Sequence, residues 1–136
     1  MKTKDAFKLL NMFLVESSFQ RELLLDFNGK KMKENLSIDV EKKIEENIIF
    51  VSLSVLFNIS YRRKKYINAK IKMLGIFEFG DDIPISIDSF GEINGPAIIF
   101  PFIREHLANV SMKAGIEPIL LPPINFVQLA KDRKNN

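Results

Sequence analysis

The sequence predicts an α+β domain: a four-stranded antiparallel sheet with two C-terminal helices packed on one of its faces. Three observations predict it. The first 80 residues carry runs in which apolar and polar positions alternate, the period of a half-buried strand. The two longest of these flank a short basic segment, Tyr61 to Lys65, as the arms of an antiparallel hairpin would. The last third changes period. Phe100, Ile103, Leu107, Val110 and Ala114 step by three and four and so form one stripe on a helix. Strands followed by helices place the helices on one face of an antiparallel sheet.

Residues Lys8 to Leu25 read as the first strand, apolar on both faces at its start and therefore covered on both sides there. Asn28-Gly29 ends it, and a basic loop follows. Leu36, Ile38 and Val40 alternate with Ser37 and Asp39 in a short strand, and Glu41 to Asn47 reads as a charged connector. Asn47 to Ser60 is the clearest strand, with Ile49, Val51, Leu53, Val55, Phe57 and Ile59 all on one face. Tyr66 to Phe79 is its hairpin partner, and a phase change at Leu74-Gly75 predicts a bulge at the glycine. Gly80 to Asn94 is a loop. Pro96 fits a first helical turn, where its missing N–H is not needed. Pro101 comes later and is expected to bend the helix or restart it. Gly115 is placed to close the helix as a left-handed residue. Leu120-Leu121-Pro122-Pro123 is held extended, and Asn125 caps a last helix beginning at Phe126.

The chain of 136 residues reads as a single domain, long enough to bury roughly two thirds of its unfolded surface. It has 12 Phe but no Trp and no Cys, which rules out disulfides and thiolate metal sites. That phenylalanine excess serves either a core or a surface for apolar partners. The N-terminus is basic and then apolar, but Glu16 and the mixed pattern make it a poor signal peptide, and no run is long enough to span a membrane. The net charge of +3 comes from clusters at Lys30-Lys31-Lys33, Arg62-Arg63-Lys64-Lys65 and Lys131, Arg133, Lys134. These read as solvated loops. Neither an aromatic stacking motif nor a recognition helix accompanies them, so nucleic acid is not an expected partner.

The sequence carries no phosphate loop, dinucleotide glycine pattern or metal-ligand cluster, so no cofactor is expected. His106 is the single histidine, and no nucleophile elbow accompanies it. It reads as a packing residue. Asp81, Asp82 and Asp88 lie on a loop leading into a helix, where carboxylates interact with the helix dipole. An enzyme is not expected. What remains is apolar surface, which in a water-soluble protein is buried by self-association or offered to ligands.

One stretch carries a resemblance. Phe100-Pro101-Phe102-Ile103-Arg104-Glu105, then Gly115, then Leu121-Pro122-Pro123-Ile124-Asn125-Phe126 resembles SecB, the bacterial protein-export chaperone family, in order and spacing. Gly75-Ile76-Phe77 and Ser18-Phe19 also match it. The resemblance implies a cytoplasmic, ATP-independent holdase that assembles as a dimer of dimers, grips non-native polypeptides in apolar grooves and hands them to the SecA motor. On that likeness the helix from Pro96 to Ala114 serves assembly through Phe100, Ile103, Leu107 and Val110. The client groove draws on Leu25, Phe27, Met32, Leu36, Phe126 and Leu129. The family's SecA-docking face is acidic. Here Glu16 keeps one acidic position, while Gln20, Asn68 and Lys70 replace the expected acids and a leucine. A change from acid to lysine reverses the sign of the interaction and argues against SecA docking in the usual way. SecB-like proteins that accompany toxin–antitoxin pairs supply the alternative, a chaperone dedicated to an antitoxin.

Overall fold

The computed structural model describes residues 6–26 and 28–135. Four strands, β1 (Phe7–Arg21), β2 (Lys33–Glu45), β3 (Ile48–Tyr61) and β4 (Lys64–Phe79), form one antiparallel sheet in the order β1-β4-β3-β2. A helical turn, α1 (Ile87–Ser89), runs through a π-helical turn at Phe90–Asn94 into the long α2 (Gly95–Lys113), and α3 (Phe126–Lys134) closes the chain. All helices lie on one face.

The central strands follow from their alternation. Ile49, Val51, Leu53, Val55 and Phe57 of β3 and Ile67, Ala69, Ile71 and Phe77 of β4 are buried on the helix side. The α2 stripe of Ile99, Phe100, Ile103 and Leu107 meets them in a single core. Each such side chain contributes about 1.5–3 kcal/mol by leaving water. Six phenylalanines (57, 77, 79, 90, 100 and 126) are buried, so most of the excess serves the core.

Several boundaries differ from expectation, each for a local reason. β1 stops at Arg21, whose guanidinium donates to the carbonyls of Glu22, Leu23 and Ala114 and draws the chain out of the sheet. β2 is far longer than its apolar core, because Glu41 to Glu45 stays in register with β3 along an edge whose outer face is solvent. No bulge sits at Gly75, which pairs in register with both Met12 and Val51. The glycine leaves space instead: a Cβ there would meet Phe77 Cε2 at 2.9 Å and Ile99 Cδ1 at 3.1 Å, so a side chain would have to displace the Phe77 ring and the tip of Ile99. The irregularities lie elsewhere: in β1 at Leu10 and Val15, skipped in the pairing with β4, and in β4 at Tyr66, skipped in the pairing with β3. α2 runs through Pro101 without a break.

The predicted punctuation of the C-terminal third is present. Gly115 has φ +76°, and the amide of Ile116 donates to Ser111 while that of Gly115 donates to Met112, a Schellman closure. Asn125 accepts from the Gln128 amide at 3.0 Å and caps α3.

Candidate functional site: a groove between β2 and the C-terminal segment

The extended segment between α2 and α3 crosses the sheet without pairing with it, and a groove opens beneath it. Three fastenings hold that segment. Fully buried Ser111 donates to Ala108 and accepts from the amide of Ile119 at 2.9 Å, tying the segment to α2. Leu121 is buried, and Phe126 meets Phe100 edge-on at 5.8 Å.

The groove follows one face of β2. Glu34, Leu36, Ile38, Val40 and Lys42 are alternate residues and line it in succession. Its widest chamber, 570 Å³, lies between Leu25, Phe57, Ile59 and Ile67 and the crossing residues Ile116 to Leu120. A second chamber of 290 Å³ runs between Leu36, Ile38 and the α3 residues Gln128, Leu129 and Asp132. A third of 290 Å³ ends among Val40, Lys42, Glu92, Arg133 and Lys134. From Glu34 to Lys42 a strand spans roughly 27 Å, room for about eight residues of extended polypeptide. Leu120 hangs over the first chamber with 75% of its surface exposed, and Leu23 and Leu24 flank it at 90% and 86%. Apolar groups so exposed gain free energy when covered.

Among the expected groove residues, Leu25, Leu36 and Leu129 line it. Phe126 does not: it is buried in the core, because its ring anchors α3 to α2. Met32 is half-buried just before β2, off the chambers, and Phe27 lies outside the described residues. Residues missed by sequence reasoning include Ile38, Val40, Phe57, Ile59, Ile67, Ile119, Leu120 and Ile124. The signal for Ile119 and Leu120 was available in the apolar run Ile119-Leu120-Leu121 before two prolines, which lacks helical spacing and cannot bury every side chain.

The assembly expectation for α2 needs correction. Phe100, Ile103 and Leu107 are at most 4% exposed within the single chain, so they fasten the helix to its own sheet and present nothing to a second copy. Val110 is half-buried. The outward face carries Ile98, Phe102 and Met112 instead, all exposed. Exposed apolar residues also crowd the β1 edge at Leu9, Leu10, Phe13, Leu14 and Val15.

Glu16, Gln20, Asn68 and Lys70 do share a surface, the helix-free face of the sheet. Gln20 pairs with Asn68 across β1 and β4, and Lys70 Nζ lies 3.4 Å from Glu16 Oε1. The one retained acid is thus neutralised. His106 bridges layers: its Nε2 is 2.8 Å from Ser17 Oγ, linking α2 to β1. Asp88 and Glu92 hold Lys42 at 3.2 and 2.8 Å. Lys42 is the more strongly protonated for it: burial opposes its charge, but hydrogen bonds to Glu92 and Asp88 outweigh burial and raise its pKa. The Lys42 hydrogen bond lowers the pKa of Glu92. Among the described residues no group of three or more His, Cys, Asp or Glu is placed to hold a metal, and no helix is long and apolar enough to cross a membrane.

The chain is thus a helix-backed antiparallel sheet with an open apolar groove along one edge strand. The preprotein translocase subunit SecB family model matches residues 2–136, and the chain belongs to the SecB family. A protein-export protein SecB from Methylobacillus flagellatus is 32% identical over 92 residues, which cover 68% of this chain and 59% of that protein. An uncharacterized protein of Methanocaldococcus jannaschii, MJ0357, is 27% identical over 100 residues, 71% of this chain and 64% of its own length. This chain thus spans about three fifths of the length of those two relatives. A SecB from Aromatoleum aromaticum is 25% identical over 93% of this chain and 86% of its own. Among solved structures, the SecB-like chaperone Rv1957 of Mycobacterium tuberculosis, in complex with a peptide from the HigA1 antitoxin, superposes with a TM-score of 0.73 over 88% of this chain and 92% of that one, at 12% identity.

Proposed function

We propose that this chain is the subunit of an ATP-independent, cytoplasmic holdase that keeps non-native polypeptides in an unfolded, export-competent state. The observation that carries the reading is the groove along β2, with exposed Leu120 above it and its walls fastened by Ser111, Leu121 and Phe126. Such a site binds by burying apolar side chains along an extended client, with low sequence specificity. It needs no nucleotide, metal or catalytic group. Assembly as a dimer of dimers would cover the β1 edge and the outward face of α2, two apolar surfaces the single chain leaves open. The test is suppression of aggregation of an unfolded client at stoichiometric amounts without ATP. Failure there, with the chain folded, sinks the reading.

A second reading is favoured by the helix-free face. With Glu16 tied to Lys70, and Asn68 and Gln20 beside them, that face lacks the acids a basic SecA tail would seek. A chaperone dedicated to an antitoxin, as the M. tuberculosis protein's complex suggests, needs no such face. Aggregation assays with an antitoxin against a secretory precursor separate the two.

A further inference from the structure

We infer that the groove is polarised and selects clients by opposite charges at the two ends of an apolar segment. The inference rests on the groove being the client site. The face of β2 that lines it reads Glu34, then Leu36, Ile38 and Val40, then Lys42: acid, three apolar residues, base. The other wall repeats the pattern. Glu117 stands opposite Glu34 at the wide chamber, and Arg133 and Lys134 stand opposite Lys42 at the far end.

The charges that would cancel this are engaged elsewhere or outnumbered. Arg21 also lines the wide chamber, where its guanidinium is held by the carbonyls of Glu22, Leu23 and Ala114, so two carboxylates there, Glu34 and Glu117, face one cation. Glu34 and Glu117 are exposed and have no ion pair among the described residues. At the far end Lys42 binds Glu92 and Asp88, and Lys134 reaches Glu92 only at 3.9 Å. Three cations there face two carboxylates. Arg133 has one long bond, 3.4 Å to the Val40 carbonyl, and its Nη2 is buried with no hydrogen-bond partner. A guanidinium so weakly engaged keeps its charge available to a carboxylate, with which it forms charge-assisted hydrogen bonds. Asp132 lines the middle chamber, where Gln128 Nε2 donates to it at 2.9 Å. The occupant is therefore an extended polypeptide of about eight residues. It carries a Lys or Arg at the Glu34 end, apolar residues between, and an Asp, Glu or chain-terminal carboxylate at the Arg133 end.

The test uses the full chain and five fluorescent peptides with one shared apolar core. Their flanks are Lys and Glu in both orders, two Lys, two Glu, or two Gln, because a peptide can enter in either direction. Anisotropy should show the better mixed-charge peptide binding about two- to fivefold more tightly per matched end than the Gln-flanked one, as for exposed ion pairs. That advantage should vanish in 1 M salt, where the screening length is about 3 Å. The double variant Glu34→Lys, Glu117→Lys, at two exposed positions, should shift preference to the peptide with two Glu. Equal binding of all five peptides, or a variant with unchanged preference, overturns the inference and leaves the groove reading intact. Binding of none, the Gln-flanked peptide included, overturns both.

Discussion

The two edge strands of the sheet are built to opposite rules. β2 pairs with β3 in unbroken register from Lys33 to Glu45 and turns a polar row, Asn35, Ser37, Asp39, Glu41 and Lys43, to the helix-free side. Its groove side is apolar between Glu34 and Lys42, and past Lys42 it carries one more apolar residue, Ile44. β1 skips a residue twice against β4 and exposes Leu9, Leu10, Phe13, Leu14 and Val15 on both of its faces. Charged residues on an edge strand discourage pairing with another chain, and an apolar, unguarded edge invites it. Exposure of apolar surface alone does not say what the surface is for. On the proposed function, one-sided exposure along the guarded strand serves a ligand groove, and two-sided exposure along the unguarded one serves a contact between copies.

The sharpest break of that contrast lies in β1. Leu14→Lys with Val15→Lys places two charges on the unguarded edge, at positions already 44% and 50% exposed, so the subunit should keep its fold. Light scattering should show the proposed tetramer replaced by a smaller species. Ser37→Lys on β2 should leave the mass unchanged. Equal effects from both edges would erase the distinction drawn between them.

A smaller effect is expected at the groove. Leu120→Asp removes an apolar group that a client would bury, worth about 1.5–3 kcal/mol, so affinity for an unfolded client should fall by about tenfold or more. Titration of a labelled, reduced client measures this. The mass in solution should not move, because Leu120 lies beside the Arg21 end of β1 and not among the exposed residues Leu9 to Val15. An unchanged affinity would mean the client lies elsewhere.

The tie that holds β2 to the helical layer sets the next scale. Glu92→Gln breaks the 2.8 Å bond to Lys42 and should cost about 1–2 kcal/mol in denaturant unfolding. The pH dependence has a definite sign. The pKa of Glu92 is lowered by folding, so its contribution is present above its ordinary 4.5 and is lost as pH falls through the folded value. The pKa of Lys42 is raised, so its contribution is full below 10.5 and is lost as pH rises past the folded value. The variant should therefore lose less stability on acidification than the parent. It should keep part of the alkaline loss, because Asp88 still holds Lys42. Parallel acid limbs for the two proteins would remove this pair from the account.

These contrasts also show what the sequence could reveal. The strands β3 and β4, the α2 stripe, the Gly115 closure and the Asn125 cap were legible, because each depends on neighbours in the chain. The length of β2 was not. Glu41 to Glu45 looks like a loop by composition, and only pairing with β3 makes it a strand. Gly75 misled for a related reason: an alternating pattern with a glycine in it looks like a change of phase, whereas the missing side chain makes room for Ile99. Leu25, Leu36 and Leu129, named from the family resemblance, line the groove. Phe126, Phe100, Ile103 and Leu107 lie in the core instead, since an apolar residue reads alike whether it faces a client, a second copy or its own sheet. Only burial distinguishes these, and burial is a property of the fold.

The smallest expected effect falls on the face that neither edge controls. Lys70 sits on central β4, half-exposed, 3.4 Å from Glu16. Exposed pairs of this kind are worth about 0.2–1 kcal/mol, so Lys70→Glu should lower stability only slightly, through like-charge repulsion with Glu16. Its larger consequence is electrostatic. The variant replaces a neutralised pair with two adjacent carboxylates on a flat surface beside Gln20 and Asn68. A peptide carrying the basic docking tail of SecA should then bind a few-fold more tightly at low salt and lose that gain as salt rises. The groove lies on the other side of the sheet, so client affinity should stay constant. A tail peptide whose affinity ignores the Lys70→Glu change at low salt would show that charge on this face does not govern docking. The lysine would then no longer argue for a partner other than SecA.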